Sequence, residues 1–235
     1  MELDGKVAVI TGGGRGLGRS IALALAREGA RLVLAARTES ELNAVRDEVK
    51  ALGAEAITVP TDVADPQQIQ HMAEVALDTF GTVDIVINNA GTGTVLGPVQ
   101  DTTLEYWESM MNVNARSVFL VTKAFLPTLL EKGSGHVINI SSVVAKKGVA
   151  TASAYCASKA AMGAFGESLA AEVRPQGIRV TNVFAEPMNT WLRWAATPDF
   201  PRDRVMEPED VAQAVVDVLK LKDNVLVDEI PVRCL

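Results

Sequence analysis

Short apolar segments alternate with longer amphipathic segments along the whole chain, and this alternation limits the possible folds more than any other feature. Seven segments rich in Val, Ile, Leu and Ala have the length and composition of strands buried on both faces. They are residues 7–11, 32–36, 56–60, 83–88, 136–141, 179–184 and 224–230. Strands that alternate with helices form parallel sheets through right-handed crossovers.

The segments between these strands have the periodicity of helices, and they cover residues 16–28, 39–52, 66–80, 104–130, 154–174 and 208–219. Pro127 lies near the end of the fourth segment, so we expect that helix to kink or end there. The whole pattern predicts an α/β fold with a doubly wound parallel sheet of about seven strands and helices on both faces. No linker interrupts it, and we expect one domain over residues 1–235.

Composition excludes several function classes. The formal net charge of −7 opposes contact with nucleic acid or an anionic membrane. No apolar segment approaches the roughly 20 residues of a membrane helix, and residues 1–4 lack the basic and apolar parts of a secretory signal. The two cysteines, Cys156 and Cys234, lack metal-ligand spacing. We therefore expect a cytoplasmic protein with no metal site, no membrane contact and no nucleic-acid partner.

The first predicted strand runs directly into a glycine-rich loop. Residues 11–18 read TGGGRGLG, and an apolar helical segment follows at once. Glycines permit a tight turn and let backbone N–H groups approach a pyrophosphate, which then lies at the positive end of the helix. This strand–loop–helix context favours a dinucleotide site over a plain turn, with a cofactor bound by Gly12, Gly14, Gly16, Leu17 and Gly18.

Two arginines indicate which dinucleotide binds. Ala36 ends the second strand, where an NAD-binding loop would offer a carboxylate to the ribose 2′-hydroxyl. Arg37 follows it, and Arg15 lies inside the glycine loop, so both guanidinium groups could bind a 2′-phosphate. The alternative is that both arginines are solvated surface residues. We expect NADP(H) rather than NAD(H).

A serine, a tyrosine and a lysine form the candidate catalytic centre. Ser142 follows the fifth strand, and Tyr155 and Lys159 are four residues apart on one face of the next helix. A tyrosine hydroxyl has a reference pKa of about 10, so base chemistry at neutral pH needs a nearby positive charge, which Lys159 supplies. We predict that Tyr155 donates a proton to a substrate carbonyl and that Ser142 hydrogen-bonds the same oxygen.

Taken together, these motifs resemble the short-chain dehydrogenase/reductase family. The TGxxxGxG loop, the NNAG segment at 88–91, Ser142 and the Tyr-x-x-x-Lys pair occur in the family's order, and the resemblance covers nearly the whole chain. It is closest to the ordinary, non-extended subgroup, and it is similar to 3-oxoacyl-[acyl-carrier-protein] reductases and related carbonyl reductases. It implies a Rossmann-type sheet and hydride transfer between NADP(H) and a carbonyl or alcohol.

The resemblance also implies roles for further residues. Asn114 would be the fourth catalytic residue, holding a water that links Lys159 to solvent. The remaining residues would contact the cofactor: Tyr155 and Lys159 themselves, Asp62 and Val63 at the adenine, Asn89, Ala90 and Gly91 along the groove, and Met188 and Thr190 at the nicotinamide carboxamide.

The chain departs from the family after the sixth strand. Ala185 and Glu186 stand where a Pro-Gly pair is usual, and the Glu186 carboxylate would either face solvent or enter the substrate pocket. Residues 186–203 are interpreted as a short lid, in which Trp191 and Trp194 form either substrate walls or core. Family members mostly form homodimers or homotetramers, and we expect the same here.

Three further functions are compatible with parts of the sequence. An epimerase or dehydratase of the extended branch shares the Tyr-x-x-x-Lys pair but needs a larger carboxyl-terminal domain. A catalytically silent NADP(H)-binding module is the second, and an NAD-dependent alcohol dehydrogenase is the third. Within the reductase interpretation, the sequence does not separate a 3-oxoacyl thioester substrate from a simple ketone or diketone.

Overall fold

A computed structural model describes residues 2–93 and 97–235. Its centre is one seven-stranded sheet in the order β3-β2-β1-β4-β5-β6-β7, and every pair of neighbouring strands is parallel. The strands are β1 Val7–Thr11, β2 Arg31–Ala36, β3 Ala56–Pro60, β4 Ile85–Asn88, β5 Gly135–Ser142, β6 Ile178–Ala185 and β7 Glu229–Val232. This sheet confirms the predicted α/β fold with about seven strands.

Helices cover both faces of the sheet. They are α1 Gly16–Arg27, α2 Glu39–Ala51, α3 Pro66–Phe80, α4 Leu104–Met111, α5 Ser117–Lys132, α6 Ser153–Val173, α7 Trp191–Ala196 and α8 Pro208–Leu219. Helices α1, α2 and α8 bury residues such as Ile21, Leu42 and Val215 against one face. Helices α3, α5 and α6 bury residues such as Met72 and Phe125 against the other. No helix in the described part of the chain is both long enough and apolar enough to span a membrane.

Of the two outcomes predicted at Pro127, a kink or an end of the helix, the structure excludes the end, because α5 runs on to Lys132. Pro127 lies on the exposed side of α5, where water can replace the hydrogen bond that proline cannot donate. Phe125 and Leu129 on the opposite side are fully buried and hold the last turns against the sheet. Upstream, the backbone of Asn112–Arg116 is a π-helix that separates α4 from α5.

The predicted seventh strand, 224–230, was misplaced. Val225 and Leu226 are 38% and 45% exposed, and pairing with β6 begins only at Glu229. β7 is therefore the short edge strand Glu229–Val232. Because it has a neighbour on one side only, it tolerates Pro231, which cannot donate a backbone hydrogen bond.

His136 in β5 makes the stability of this fold sensitive to acid. Burial, together with the charge of Arg179, lowers the pKa of His136 from 6.5 to about 3. Its Nε2 lies 2.8 Å from Thr181 Oγ1, and that hydroxyl donates to the Val227 carbonyl, so Nε2 carries the proton. The unfolded chain then takes up a proton below pH 6.5 that the folded chain does not, and stability falls as the pH falls from 6.5 toward 3.

A His136→Gln variant should remove this part of the acid sensitivity. The glutamine amide can still donate to Thr181 but cannot titrate. Below pH 6.5 the free energy of unfolding of the wild-type protein is expected to fall by about 1.4 kcal/mol per pH unit more steeply than that of the variant. Urea unfolding measured across this range tests it. Parallel curves for the two proteins would contradict the prediction.

Candidate active site

The carboxyl ends of β1 to β5 open into a cleft of about 370 Å³, called here the main cleft. Ligands of parallel α/β sheets bind at this edge, where neighbouring loops diverge. Every residue that the sequence predicted to bind a cofactor lines the main cleft: Gly12, Gly14, Arg15, Gly16, Leu17, Gly18, Arg37, Asp62, Val63, Asn89, Ala90, Gly91, Tyr155, Lys159, Met188 and Thr190.

The glycine loop is held by contacts that leave no room for side chains. A Cβ on Gly18 would lie 2.0 Å from the Gly12 carbonyl oxygen, and Gly12 itself has a φ of +67°. Asn89 fixes the loop from the neighbouring strand, because its Nδ2 donates to the Thr11 carbonyl at 2.8 Å. The NNAG segment therefore supports the loop that it faces across the cleft.

The start of α1 suits a phosphate group. Arg15 occupies the N-cap position but makes no capping bond with its side chain, and the first turn contains no acidic residue. The first N–H groups of a helix have no partner within the helix. These donors, at the positive end of the helix, face the glycine-lined part of the main cleft, so the residues present fit a dinucleotide pyrophosphate.

The two predicted phosphate-binding arginines lie in different environments. Arg15 forms an exposed ion pair with Glu41 at 3.1 Å, and its guanidinium stacks 4.1 Å from the Trp191 ring. Arg37 is exposed at the rim, and within residues 2–93 and 97–235 no carboxylate lies at ion-pair distance from it. Sequence reasoning missed Glu41, which lies in the first turn of α2 and also lines the main cleft.

Tyr155 borders both the main cleft and a smaller adjoining space of about 90 Å³, called here the side cavity. Ser142, at the end of β5, lines the side cavity together with Tyr155, and its side chain is one of the influences that lower the pKa of Tyr155. Burial raises the pKa of Tyr155 above 10, and the largest opposing influence is the positive charge of Arg193. At neutral pH the Tyr155 hydroxyl is therefore protonated.

Lys159 lies one turn after Tyr155 on α6 and is 5% exposed. Its Nζ donates to the Ile140 carbonyl at 2.9 Å, and burial lowers its pKa from 10.5 to about 8. The amine consequently carries a positive charge at neutral pH and loses it in mildly alkaline solution.

Asn114 lies in the π-helix and is fully buried, so it lines neither cavity. Its Nδ2 donates to Ser158 Oγ at 3.1 Å, and its Oδ1 accepts from the Thr92 backbone at 2.8 Å. A Cβ on Gly91 would lie 3.3 Å from Asn114 Oδ1 and 3.6 Å from Lys159 Nζ. The structure therefore brings Asn114 to the same point as Lys159. A π-helical turn is a common mark of a functional position.

The predicted lid contains α7, and its two tryptophans have different roles. Trp191 is 60% exposed and lines the main cleft over Arg15, so it belongs neither to the core nor to the side cavity. Trp194 lines neither cavity, and its Nε1 donates to Asn189 Oδ1 at 2.9 Å. The lid residues that do reach the side cavity include Leu192 and Arg193, and the sequence had not singled out either.

Glu186 does not point freely into solvent, which was one of the two predicted orientations. It lines the side cavity, and its Oε2 accepts a hydrogen bond from the Cys234 backbone N–H at 3.0 Å. The carboxylate thus ties the carboxyl-terminal tail to the cavity wall. Nothing in the local sequence indicates this contact, because the partners are 48 residues apart.

Comparison with known proteins agrees with this geometry. Residues 6–200 match the family described as short chain dehydrogenase. An uncharacterized oxidoreductase of Staphylococcus aureus is 36% identical over 231 residues, which cover 98% of each protein. A solved metagenomic short-chain oxidoreductase in complex with NADP is 34% identical with a TM-score of 0.88, covering 99% of this chain and 98% of that one.

A second solved structure is similar over almost its whole length. It is an alcohol dehydrogenase from the archaeon Thermococcus sibiricus, complexed with 5-hydroxy-NADP. It is 31% identical to this chain, with a TM-score of 0.91, and the match covers 98% of this chain and 97% of that one. This chain belongs to the short-chain dehydrogenase/reductase family of NAD(P)-binding oxidoreductases.

Proposed function

We propose that the protein is an NADP(H)-dependent reductase that interconverts a carbonyl and an alcohol, with Tyr155 as the general acid and base. The position of Tyr155 carries this proposal. Tyr155 lies where the main cleft meets the side cavity, which Ser142 also lines, and Ser142 lowers the pKa of the Tyr155 hydroxyl. A carbonyl oxygen in the side cavity could therefore reach both hydroxyls while its carbon faces the cleft.

The protonation state of Tyr155 favours the reductive direction. Burial raises the pKa of its hydroxyl, so the proton is present at neutral pH and available to a carbonyl oxygen. Ser142 hydrogen-bonds the same oxygen as negative charge develops there. Bound NADPH would supply the hydride from its nicotinamide C4. Negative charge left on the tyrosine is stabilised by the positive charge of Arg193, and Lys159, one turn along α6, is also charged below about pH 8.

The residues around the main cleft support NADP(H) as the cofactor. Arg37 is free of carboxylates in the described part of the chain, and Ala36 offers no carboxylate to a ribose 2′-hydroxyl. Arg15 can supply a second guanidinium by exchanging its exposed ion pair with Glu41 for a phosphate. Glu41 also provides the one specific argument for the second candidate, an NAD-dependent alcohol dehydrogenase, because its carboxylate lines the same cleft.

The direct test is a substrate panel followed by NADPH absorbance. Purified protein is expected to oxidise NADPH when offered a ketone panel that includes a 3-oxoacyl thioester, a diketone, a sugar-like ketone and several oxo acids. Turnover with at least one member supports the proposed reaction and identifies the substrate class. A protein that binds NADPH tightly but turns over no member would instead be the catalytically silent module.

A further inference from the structure

Arg193 brings a positive charge to the side cavity. It lies in α7, whose first turn is capped by the Thr190 hydroxyl. Its guanidinium stacks 4.8 Å from the Phe200 ring, and Nη1 donates to Thr197 Oγ1 at 2.9 Å. These contacts hold the guanidinium against Phe200 and Thr197, and Arg193 also lines the side cavity, together with Ser142 and Tyr155.

Among the residues that the structure describes, none provides a counterion for the charge of Arg193. A guanidinium has five N–H donors, and the bond to Thr197 uses one of them. In the described ranges 2–93 and 97–235, no carboxylate lies within ion-pair distance of Arg193. Partial burial lowers its pKa, so the site removes hydration from the charge without compensating it. A half-buried guanidinium without a counterion lowers the stability of the folded protein, unless a bound anion pairs with it.

The other charged wall of the cavity does not neutralise Arg193. Glu186 lines the same space, but its Oε2 already accepts from the Cys234 N–H, and the carboxylate lies beyond ion-pair distance of Arg193. Glu186 is thus held on the side of the carboxyl-terminal tail. The guanidinium is left for an incoming group.

We propose that Arg193 binds an anionic group of the substrate and that the substrate is a small oxo carboxylate, with the carboxylate one or two carbons from the reacting carbonyl. This inference rests on the proposed function. The side cavity has a volume of about 90 Å³, much smaller than the main cleft that it adjoins at Tyr155. A carbonyl with one compact substituent fits, and a planar carboxylate matches a guanidinium fork through two hydrogen bonds.

The reduction of this substrate needs only NADPH and a proton from solvent as further reactants. A hydride from NADPH forms the new bond to the carbonyl carbon, the C=O π bond breaks, and its electron pair takes the proton of Tyr155. The products are a hydroxy carboxylate, NADP⁺ and a tyrosinate that is reprotonated from solvent. Arg193 keeps its proton throughout and fixes the carboxylate, so it orients the carbonyl toward Tyr155 and Ser142.

The test compares a 3-oxo carboxylate and a 2-oxo carboxylate with their methyl esters, which share the carbonyl but lack the charge. The measured quantity is the ratio of kcat/KM for the acid to kcat/KM for the ester. The wild-type ratio is expected to exceed one, and Arg193→Gln should lower it by about tenfold to 100-fold, the range for a lost charge-assisted hydrogen bond. Arg193→Lys should lower it less, because it keeps the charge but not the fork.

A ratio separates substrate binding from other effects of Arg193. Its charge also acts on Tyr155, and its contacts hold the lid, but both effects change acid and ester alike. The matched control is Arg202→Gln, which removes another lid arginine that stacks on an aromatic ring, Trp194, but does not line the side cavity. This variant is expected to keep the wild-type ratio.

Two outcomes would overturn the inference: a wild-type ratio below one, or an Arg193→Gln ratio equal to that of the wild type. Binding is measured independently by titrating acid and ester against the protein loaded with NADP⁺, which cannot transfer hydride, and following tryptophan fluorescence. If Arg193→Gln weakens binding of the acid but no compound is reduced, the proposed function fails and the anion site stands. If esters are reduced and acids are not preferred, the proposed function stands and the anion site fails.

Discussion

Replacing Tyr155 with phenylalanine is expected to lower kcat for ketone reduction by about 10²–10⁴-fold, the usual contribution of a positioned general acid. The change removes one oxygen, the hydroxyl of a residue that borders both the main cleft and the side cavity and whose pKa, raised by burial, is lowered in part by its neighbours Arg193 and Ser142. Water would then have to supply the proton. Steady-state NADPH oxidation with the best substrate of the panel measures the effect.

The chain offers a matched control for this substitution. Its second tyrosine, Tyr106 on α4, lines neither the main cleft nor the side cavity, so Tyr106→Phe is expected to keep kcat near the wild-type value. Circular dichroism and thermal unfolding should show that both variants fold. If Tyr155→Phe retains a rate within about tenfold of the wild type, another group donates the proton and the proposed mechanism is wrong.

The fold was largely predictable because each central strand is a continuous apolar run between two amphipathic helices. That pattern holds for β2 to β6, and β1 is followed by a helix but not preceded by one in the described part of the chain; the residues of these strands are mostly buried. The pattern fails at the edge. Val225, Leu226 and Val227 are as apolar as a strand, yet Val225 and Leu226 are exposed and the pairing with β6 begins only at Glu229. The helix continues past Pro127 because the effect of a proline depends on which side of a helix faces solvent.

The candidate site was predictable only where one short motif carries it. The glycine loop and the Tyr-x-x-x-Lys pair each lie within a few residues, and local geometry brings their members together. Contacts between distant segments do not correspond to any short sequence motif. Glu41 reaches Arg15 across 26 residues, and Arg193 reaches the cavity of Tyr155 from a lid that folds back from the sixth strand. Glu41 and the charge proposed to bind the substrate, Arg193, belong to this second group, whereas Arg15 and Arg37 were predicted from the sequence.

For the same reason, the family likeness says more about the reaction than about the substrate. Hydride transfer needs the parts that the motifs specify: a dinucleotide loop, a proton donor and a hydrogen bond to the oxygen. The side cavity is lined by Ser142 and Tyr155 but also by Glu186, Leu192 and Arg193, which come from the part of the chain where the family pattern is broken. Charge in this segment is therefore the better guide to what the protein reduces.

Cofactor choice should depend most strongly on Arg37. Arg37→Asp is expected to lower the ratio of kcat/KM with NADPH to kcat/KM with NADH by about 100-fold or more. The variant loses a charge-assisted hydrogen bond, which contributes about 1.5–3 kcal/mol, and places a carboxylate beside the 2′-phosphate. The same carboxylate can accept a hydrogen bond from the ribose 2′-hydroxyl of NADH. Initial rates with both cofactors give the ratio.

The neighbouring Arg15–Glu41 pair provides the comparison that makes this result specific. Glu41→Gln frees Arg15 from its ion pair and removes a negative charge from the cleft, so it should shift the ratio toward NADPH. The shift should be only a few-fold, because an exposed ion pair contributes about 0–1 kcal/mol. Opposite shifts in the two variants mean that a 2′-phosphate binds between Arg37 and Arg15. If instead the wild-type protein prefers NADH and Glu41→Gln weakens NADH binding, then Glu41 binds the ribose and NADP(H) is the wrong cofactor.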